Sequence, residues 1–332
     1  MSFKRIIILG SERSGTNLLR VLLGNHKDIS APVAVHFLNT FQPFIHYYGD
    51  LNESKNATKL VDHFLKSANH IYTNWELNST AGDIVETHGV NSFETGFDAM
   101  YKEYSSKEGK KHYVCKDNDM YSHITLLEKL RTYEDSVFYV YLHRDPRDQA
   151  VSWMKTPLFL HTVYDIATKW NKEQNLVKEL NGQVEMYSLS YTDLVNDTET
   201  VMSELLTYLN LEIDKRCFST NPENKESKNN ELWKNLSKPI IKNNSNNYRN
   251  TLSSNEIKII ETICKENMIN LNYELDTKAN WRDFMGLYKK YFLPKERAKR
   301  QKKNEGFYND KMRNLQSKLD LLEQLKNEAK DA

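Results

Sequence analysis

Cysteine is scarce in this chain of 332 residues: Cys115, Cys217 and Cys264 are odd in number, far apart and outside any C-x-x-C spacing. That pattern excludes a disulfide framework and a thiolate metal site, and it points to reduced thiols in a cytoplasmic compartment. No run approaches the ~18 consecutive apolar residues that cross a bilayer. Only Met-Ser-Phe-Lys-Arg precedes the first apolar run, so neither a membrane span nor a secretory leader is expected. Net charge is also missing. Lys and Arg number 46 against 45 Asp and Glu, leaving +1, which gives no general pull toward nucleic acid and sends electrostatic arguments to local clusters. With 39% apolar residues, a chain of this length can bury a full core.

What is present begins at Arg5. The run Arg5 to Leu9, rich in isoleucine, reads as a parallel strand covered on both faces, and Leu18, Leu19, Leu22 and Leu23 follow at helical spacing over residues 17–24. Between them, Gly10 and Gly15 have the spacing of a Walker A loop, but Thr16 and Asn17 stand where a nucleotide triphosphatase needs Lys and then Ser or Thr. The loop suits a phosphate and lacks the ATPase lysine. Its cation, Arg13, comes earlier. A glycine-bearing loop that opens a helix offers unpaired N–H donors and the positive end of the helix dipole, so a dianion can dock there.

Further along, residues 112–115 read as a strand leading to Lys116, followed by a helix through Ile124, Leu127 and Leu130. Residues 137–142 form the strongest strand pattern and end at His143-Arg144-Asp145-Pro146-Arg147-Asp148. Asp145 as N-cap, Pro146 at the first helical position and Asp148 at the third predict a helix start with a capping-box-like pair. A fourth strand over 184–189 precedes Tyr191-Thr192-Asp193-Leu194-Val195 and a helix through Val201, Leu205 and Leu209. Strands alternating with helices predict an α/β fold, a P-loop-like parallel sheet flanked by helices. Residues 40–110 read as a helical insertion with irregular loops such as 80–96. The main domain is expected to span 1–285. A basic, then amphipathic helical tail follows over 286–332, with lysines and arginines from Lys289 to Lys303 and apolar positions at Met312, Leu315, Leu319 and Leu322. Its open readings are a solvated helix, self-association, or peripheral contact with an anionic membrane.

The segment Arg13-Ser14-Gly15-Thr16-Asn17-Leu18-Leu19 resembles the 5′-phosphosulfate loop of sulfotransferases that use 3′-phosphoadenosine 5′-phosphosulfate (PAPS). A strand-end Arg with a Ser eight positions later, here Arg144 and Ser152, resembles that family's 3′-phosphate site. Ser152, two helical turns in, faces the side from which Arg144 leaves its strand. The resemblance implies sulfuryl transfer to a hydroxyl with release of 3′-phosphoadenosine 5′-phosphate (PAP) and no metal. It implies that Ser14, Gly15, Thr16, Asn17, Leu18, Arg144 and Ser152 bind the donor, and that Arg13 stabilises charge building on the leaving phosphate. Tyr191 is similar to the tyrosine beside the adenine, and Arg249 to a late arginine over the 3′-phosphate. The likeness runs in order from residue 5 to about 270 and leaves out the insertion and the tail.

The pattern breaks at the base. Cytosolic small-molecule sulfotransferases carry K-T-H, whereas this chain has Lys116-Asp117-Asn118; glycan enzymes place Glu before V-H-F-F, whereas this chain has Ala34-Val35-His36-Phe37. His36 is the first candidate base, its natural pKa suiting proton acceptance near pH 7; Asp117 is the second, and Glu86 or His88 are further choices. Lys116 is placed to touch the transferred sulfate. The loop and V-H-F stand closer to glycan and peptide sulfotransferases, so a carbohydrate or glycolipid acceptor is expected; His70, Tyr72 and Trp75 either line a sugar cleft or pack in the core. Two other readings stay open: a P-loop kinase, which needs a lysine at Thr16, and a non-catalytic nucleotide-binding scaffold.

Overall fold

The computed structural model describes residues 3–70, 73–132, 136–156, 162–221, 236–277 and 282–303, together with 320, 323, 326 and 327. Strands β1 (Lys4–Leu9), β2 (Ile29–Ser30), β3 (His112–Lys116), β4 (Ser136–His143) and β5 (Met186–Ser190) form one parallel sheet in the order β2-β3-β1-β4-β5. The connections carry helices α1 (Thr16–Gly24), α2 (Phe37–Phe41), α3 (Ser54–Ala68), α4 (Ala81–His88), α5 (Phe93–Lys107), α6 (Ile124–Glu128), α7 (Pro146–Met154) and α8 (Val163–Leu180). After β5 come α9 (Tyr191–Asn196), α10 (Thr198–Tyr208) and α11 (Ser254–Asn270). Helix α12 (Arg282–Leu287) continues through a π-helical stretch, Tyr288–Phe292, into α13 (Leu293–Lys303).

Strand β1 is central, with Ile7 beside Cys115 on one side and Tyr139 on the other. Successive side chains point to opposite faces and both faces are covered, so every residue from Ile6 to Leu9 has to be apolar. Ile6 and Ile8 pack with Leu19, Leu22 and Leu23 of α1 and with Leu205 of α10. Ile7 and Leu9 pack against the helices of the insertion, with Phe37, Phe64, Phe97 and Tyr101. A third apolar layer joins α7, α8 and α11 through Trp153, Trp170, Ile260 and Met268.

Three expectations change here. The stretch 80–96 is not irregular: α4 and α5 both begin within it, each with a capping box, Thr80 with Asp83 and Ser92 with Thr95. Their polar outer faces hide the apolar stripe that the inner faces bury. The insertion's Trp75 does not line a cleft, since it is 1% exposed and packs edge-on against Phe37 and Tyr101; Tyr72 and the tail's positions from Met312 to Leu322 lie outside the described residues. Asp148 caps something other than its own helix. Asp145 caps α7 by accepting from the Arg147 amide, while Asp148 accepts from the amides of Asn246 and Tyr248 at 2.6 and 3.1 Å. The start of the tail also packs inward, with Tyr288 and Leu293 in the third layer and Arg297 paired with Asp165 of α8. Among the described residues, no helix is long and apolar enough to cross a membrane.

The insertion is tied to the sheet by a buried ion pair. Arg5 of β1 grips Asp98 of α5 with two bonds of 2.6 Å, and Tyr113 donates to the same carboxylate at 2.8 Å. Burial pushes the Asp98 carboxyl up, but Arg5, Lys102 and Tyr113 outweigh it and hold it below its ordinary value. A lowered pKa in the folded state contributes stability above the ordinary carboxylate range and loses it as pH falls through that range. Asp98→Ala is expected to cost about 3–5 kcal/mol, because it leaves the Arg5 charge buried without its carboxylate. Urea denaturation at pH 7 checks this, and the gap to wild type should narrow in acid.

Candidate active site

The strand ends that point the same way as β1 place the candidate residues at one edge of the sheet. After Leu9 the chain turns tightly at Gly10, where an added Cβ would lie 2.8 Å from the Leu142 carbonyl oxygen. Ser14 N–H closes a turn on the Ser11 carbonyl at 3.2 Å, and Gly15, at φ 99, precedes the first residue of α1 with no side-chain cap on the helix. The first-turn amides of Thr16, Asn17 and Leu18 therefore have neither an intrahelical acceptor nor a capping oxygen.

Arg13 and Arg144 converge on this turn from two strands. Arg13, itself at φ 68, points its Nε at Ser152 Oγ at 3.3 Å. Arg144 leaves the end of β4, is 8% exposed, and donates to the carbonyls of Arg13 at 3.1 Å and Asn244 at 3.3 Å. Its guanidinium lies 4.1 Å from the centre of the Tyr191 ring, a cation–π contact. The Tyr191 hydroxyl accepts from Asn244 Nδ2 at 2.8 Å. The Cδ2–Cε2 edge of the same ring abuts Gly15, so a Cβ there would come 2.7 Å from Cε2 and closer still to Cδ2. Tyr191 thus links the two halves of the site. Asp148 helps from behind: by holding the amides of Asn246 and Tyr248 it fixes the segment that presents Asn244.

These residues surround an open cavity lined by Arg13, Gly15, Thr16, Asn17, Leu18, Arg144, Ser152 and Tyr191, and closed on its far side by Lys238, Pro239, Ile240 and Ile241. The cavity is short of negative charge. Burial, and then the like charge of Arg144, push the Arg13 guanidinium below its usual value against the opposing pull of Glu12. Ser14 Oγ and Arg144 Nε are buried and have no hydrogen-bond partner among the described residues. Ser14 lies just behind the cavity lining in the same turn; the two guanidinium groups, one with its Nε unpaired, fit an anion, and the apolar wall of Leu18, Ile240 and Ile241 fits a flat ring.

On the other side of the loop lies a second cluster. His36 Nδ1 bonds Asp117 Oδ1, and Lys116 Nζ donates to Asn118 Oδ1 at 3.0 Å. Burial pushes the Lys116 ammonium down, with Asp117 and Glu12 opposing. Glu12 joins the cluster to the loop by accepting from Asn118 Nδ2 at 2.8 Å and pairing with Lys169 at 3.1 Å. Glu12 therefore faces the His36 cluster while its neighbour Arg13 faces the cavity. Other candidates fall elsewhere. Arg249 is not on the cavity; it pairs with Asp276 at 2.8 Å. Glu86 and His88 sit on α4, which packs on α3 and α5, and His88 is bonded to Glu103 at 3.2 Å. His70 is exposed at the end of α3.

Sequence reasoning missed Lys238 and Asn244. The one local signal is a basic residue ahead of Pro239-Ile240-Ile241 in a stretch otherwise rich in Asn and Lys.

A family model described as "Sulfotransferase family" matches residues 5–215, which carry both arginines, Ser152, Tyr191 and the His36 cluster. No curated protein sequence matches the chain. Among solved structures, the sulfotransferase domain from the olefin synthase of Synechococcus PCC 7002 is 20% identical over 79% of this chain and 95% of that chain, with a TM-score of 0.51. The sulfotransferase domain from the curacin biosynthetic pathway is 17% identical over 83% and 99%, TM-score 0.47. Sulfotransferase STF9 from Mycobacterium avium is 12% identical over 84% and 79%, TM-score 0.45.

Proposed function

Because the chain belongs to the sulfotransferase family, and is therefore an enzyme of sulfuryl transfer, we propose that its donor is PAPS and its acceptor a hydroxyl on a carbohydrate or glycolipid. The observation that carries the donor assignment is the cavity where two strand-to-helix junctions meet, lined by Arg13, Arg144 and the start of α1, with Arg144 Nε buried and unpaired. In this reading Ser14 and the amides of Gly15, Thr16, Asn17 and Leu18 hold the 5′ end, Arg144 and Ser152 the 3′-phosphate, and Tyr191 with Ile240 the adenine. Lys238 takes the closing role over the 3′-phosphate that the resemblance gave to Arg249.

When bound, PAPS supplies a sulfuryl group already joined to a phosphate leaving group. Such transfer needs alignment and charge stabilisation more than covalent help. Arg13 meets the negative charge that grows on the leaving phosphate oxygen, and Lys116 meets the charge on the sulfuryl oxygens. His36 removes the acceptor's hydroxyl proton as that oxygen bonds to sulfur. The sulfur–phosphate oxygen bond breaks with its electron pair staying on PAP.

The acceptor assignment rests on the likeness of the loop and of V-H-F to glycan enzymes. A cytoplasmic location rests on the three buried free cysteines. Peripheral membrane contact rests on Leu287, Tyr291 and Phe292, each half exposed beside Lys289 and Lys290. Transfer of labelled sulfate from PAPS to a panel of glycans, glycolipids and phenols tests the reading. Glycan or glycolipid products are expected, and His36→Ala should lower kcat by about 10²–10⁴-fold. Label passing to phenols alone would refute the acceptor class.

A further inference from the structure

Asp117 is 3% exposed at the end of β3. Its Oδ1 accepts from the Asn118 amide at 2.6 Å and bonds His36 Nδ1, while Oδ2 is buried with no hydrogen-bond partner among the described residues. His36 has the opposite character. Its side chain is 38% exposed, and its backbone sits at φ 66, in the left-handed region that non-glycine residues seldom adopt. So the carboxylate cannot reach an acceptor except through the imidazole, which excludes Asp117 as the direct base. A carboxylate fixed behind Nδ1 keeps that nitrogen protonated and turns the lone pair of Nε2 outward.

We propose that Asp117 is a positioning residue: it holds His36 in the Nδ1–H tautomer, so that Nε2 receives the proton of the acceptor hydroxyl. When that proton arrives, positive charge develops beside a carboxylate that has one oxygen still unpaired, in surroundings that screen it little. The neighbouring charges do not take over this role. Lys116 is a cation turned to Asn118, Glu12 is committed to Asn118 and Lys169, and His123 is bonded to Asn39 at 3.0 Å. Asp119 lies across from Lys169 at 3.8 Å.

This inference rests on His36 being the base, and the experiment separates the two. Long-range proton–nitrogen NMR of the imidazole reads the tautomer without donor or acceptor, and PAP-induced thermal shifts report folding. Wild type is expected to show the proton on Nδ1. Asp117→Ala should move it toward Nε2 and lower kcat about 100-fold, with the acceptor KM and the PAP shift unchanged; Asp117→Asn should fall between. If His36→Ala keeps wild-type turnover, the base assignment fails. If His36→Ala is inactive but Asp117→Ala keeps kcat within twofold and the same tautomer, the positioning role fails alone. Should Asp117→Ala not fold, the wild-type spectrum decides: a proton on Nε2 overturns the proposal.

Discussion

Arg13→Ala is expected to lower kcat for sulfuryl transfer by about 10²–10³-fold, the loss typical when a preorganised donor is removed from a site of developing negative charge. The effect should fall on kcat more than on PAP affinity, since Arg144 and the first-turn amides of α1 remain. The backbone of Arg13 is held before any ligand arrives, its carbonyl taking a bond from Arg144, while its Nε rests on Ser152 and exchanges that contact for the leaving phosphate. Lysine should rescue only in part, because one compact ammonium cannot replace a planar fork. Single-turnover rates with PAPS check this, and a variant within threefold of wild type would remove Arg13 from the chemistry.

Gly15→Ala is expected to weaken PAP binding by about 100-fold or more, equivalent to about 2.8 kcal/mol. Two costs coincide. The residue sits at φ 99, where an L side chain is strained, and its Cβ would collide with the Tyr191 ring. That ring has little freedom to retreat, with Arg144 stacked on it and Asn244 bonded to its hydroxyl. Either the loop or the Arg144 stack must give way, so one methyl group damages both phosphate subsites. Gly182→Ala is the control, since a Cβ there meets nothing within 4 Å. Calorimetric titration with PAP measures the difference, and near-wild-type affinity in Gly15→Ala would mean that the turn does not hold the donor.

The residues that could be read from sequence are those whose signals are local. Strand β1, its loop and α1 lie within a short stretch with a switch of hydrophobic period at Gly10, and the interval from Arg144 to Ser152 spans one strand end and two helical turns. Strand β2 has two residues, Ile29 and Ser30, too few to carry an alternation. The capping boxes at Thr80 and Ser92 were legible signals; the polar faces of α4 and α5 outweighed them. Aromatic content alone could not tell the buried Trp75 from a sugar platform, because it lies in a segment without regular structure, where no periodicity marks which side chains turn inward. Arg249 carried the expected residue type, but Asp276 and Tyr248 hold its side chain off the cavity. Residues linked only by the fold stayed invisible. His36 and Asp117 are 81 positions apart, and Lys238 reaches the cavity from a segment without regular structure.

One cavity must receive both phosphates of a single adenosine. Calorimetric titration of the protein with PAP, ADP and adenosine 5′-monophosphate tests this most directly. PAP should bind at least 100-fold more tightly than ADP, with Arg144→Ala erasing that preference by removing the 3′-phosphate's partner. Equal affinity for PAP and ADP, or a PAP preference that survives Arg144→Ala, would contradict it.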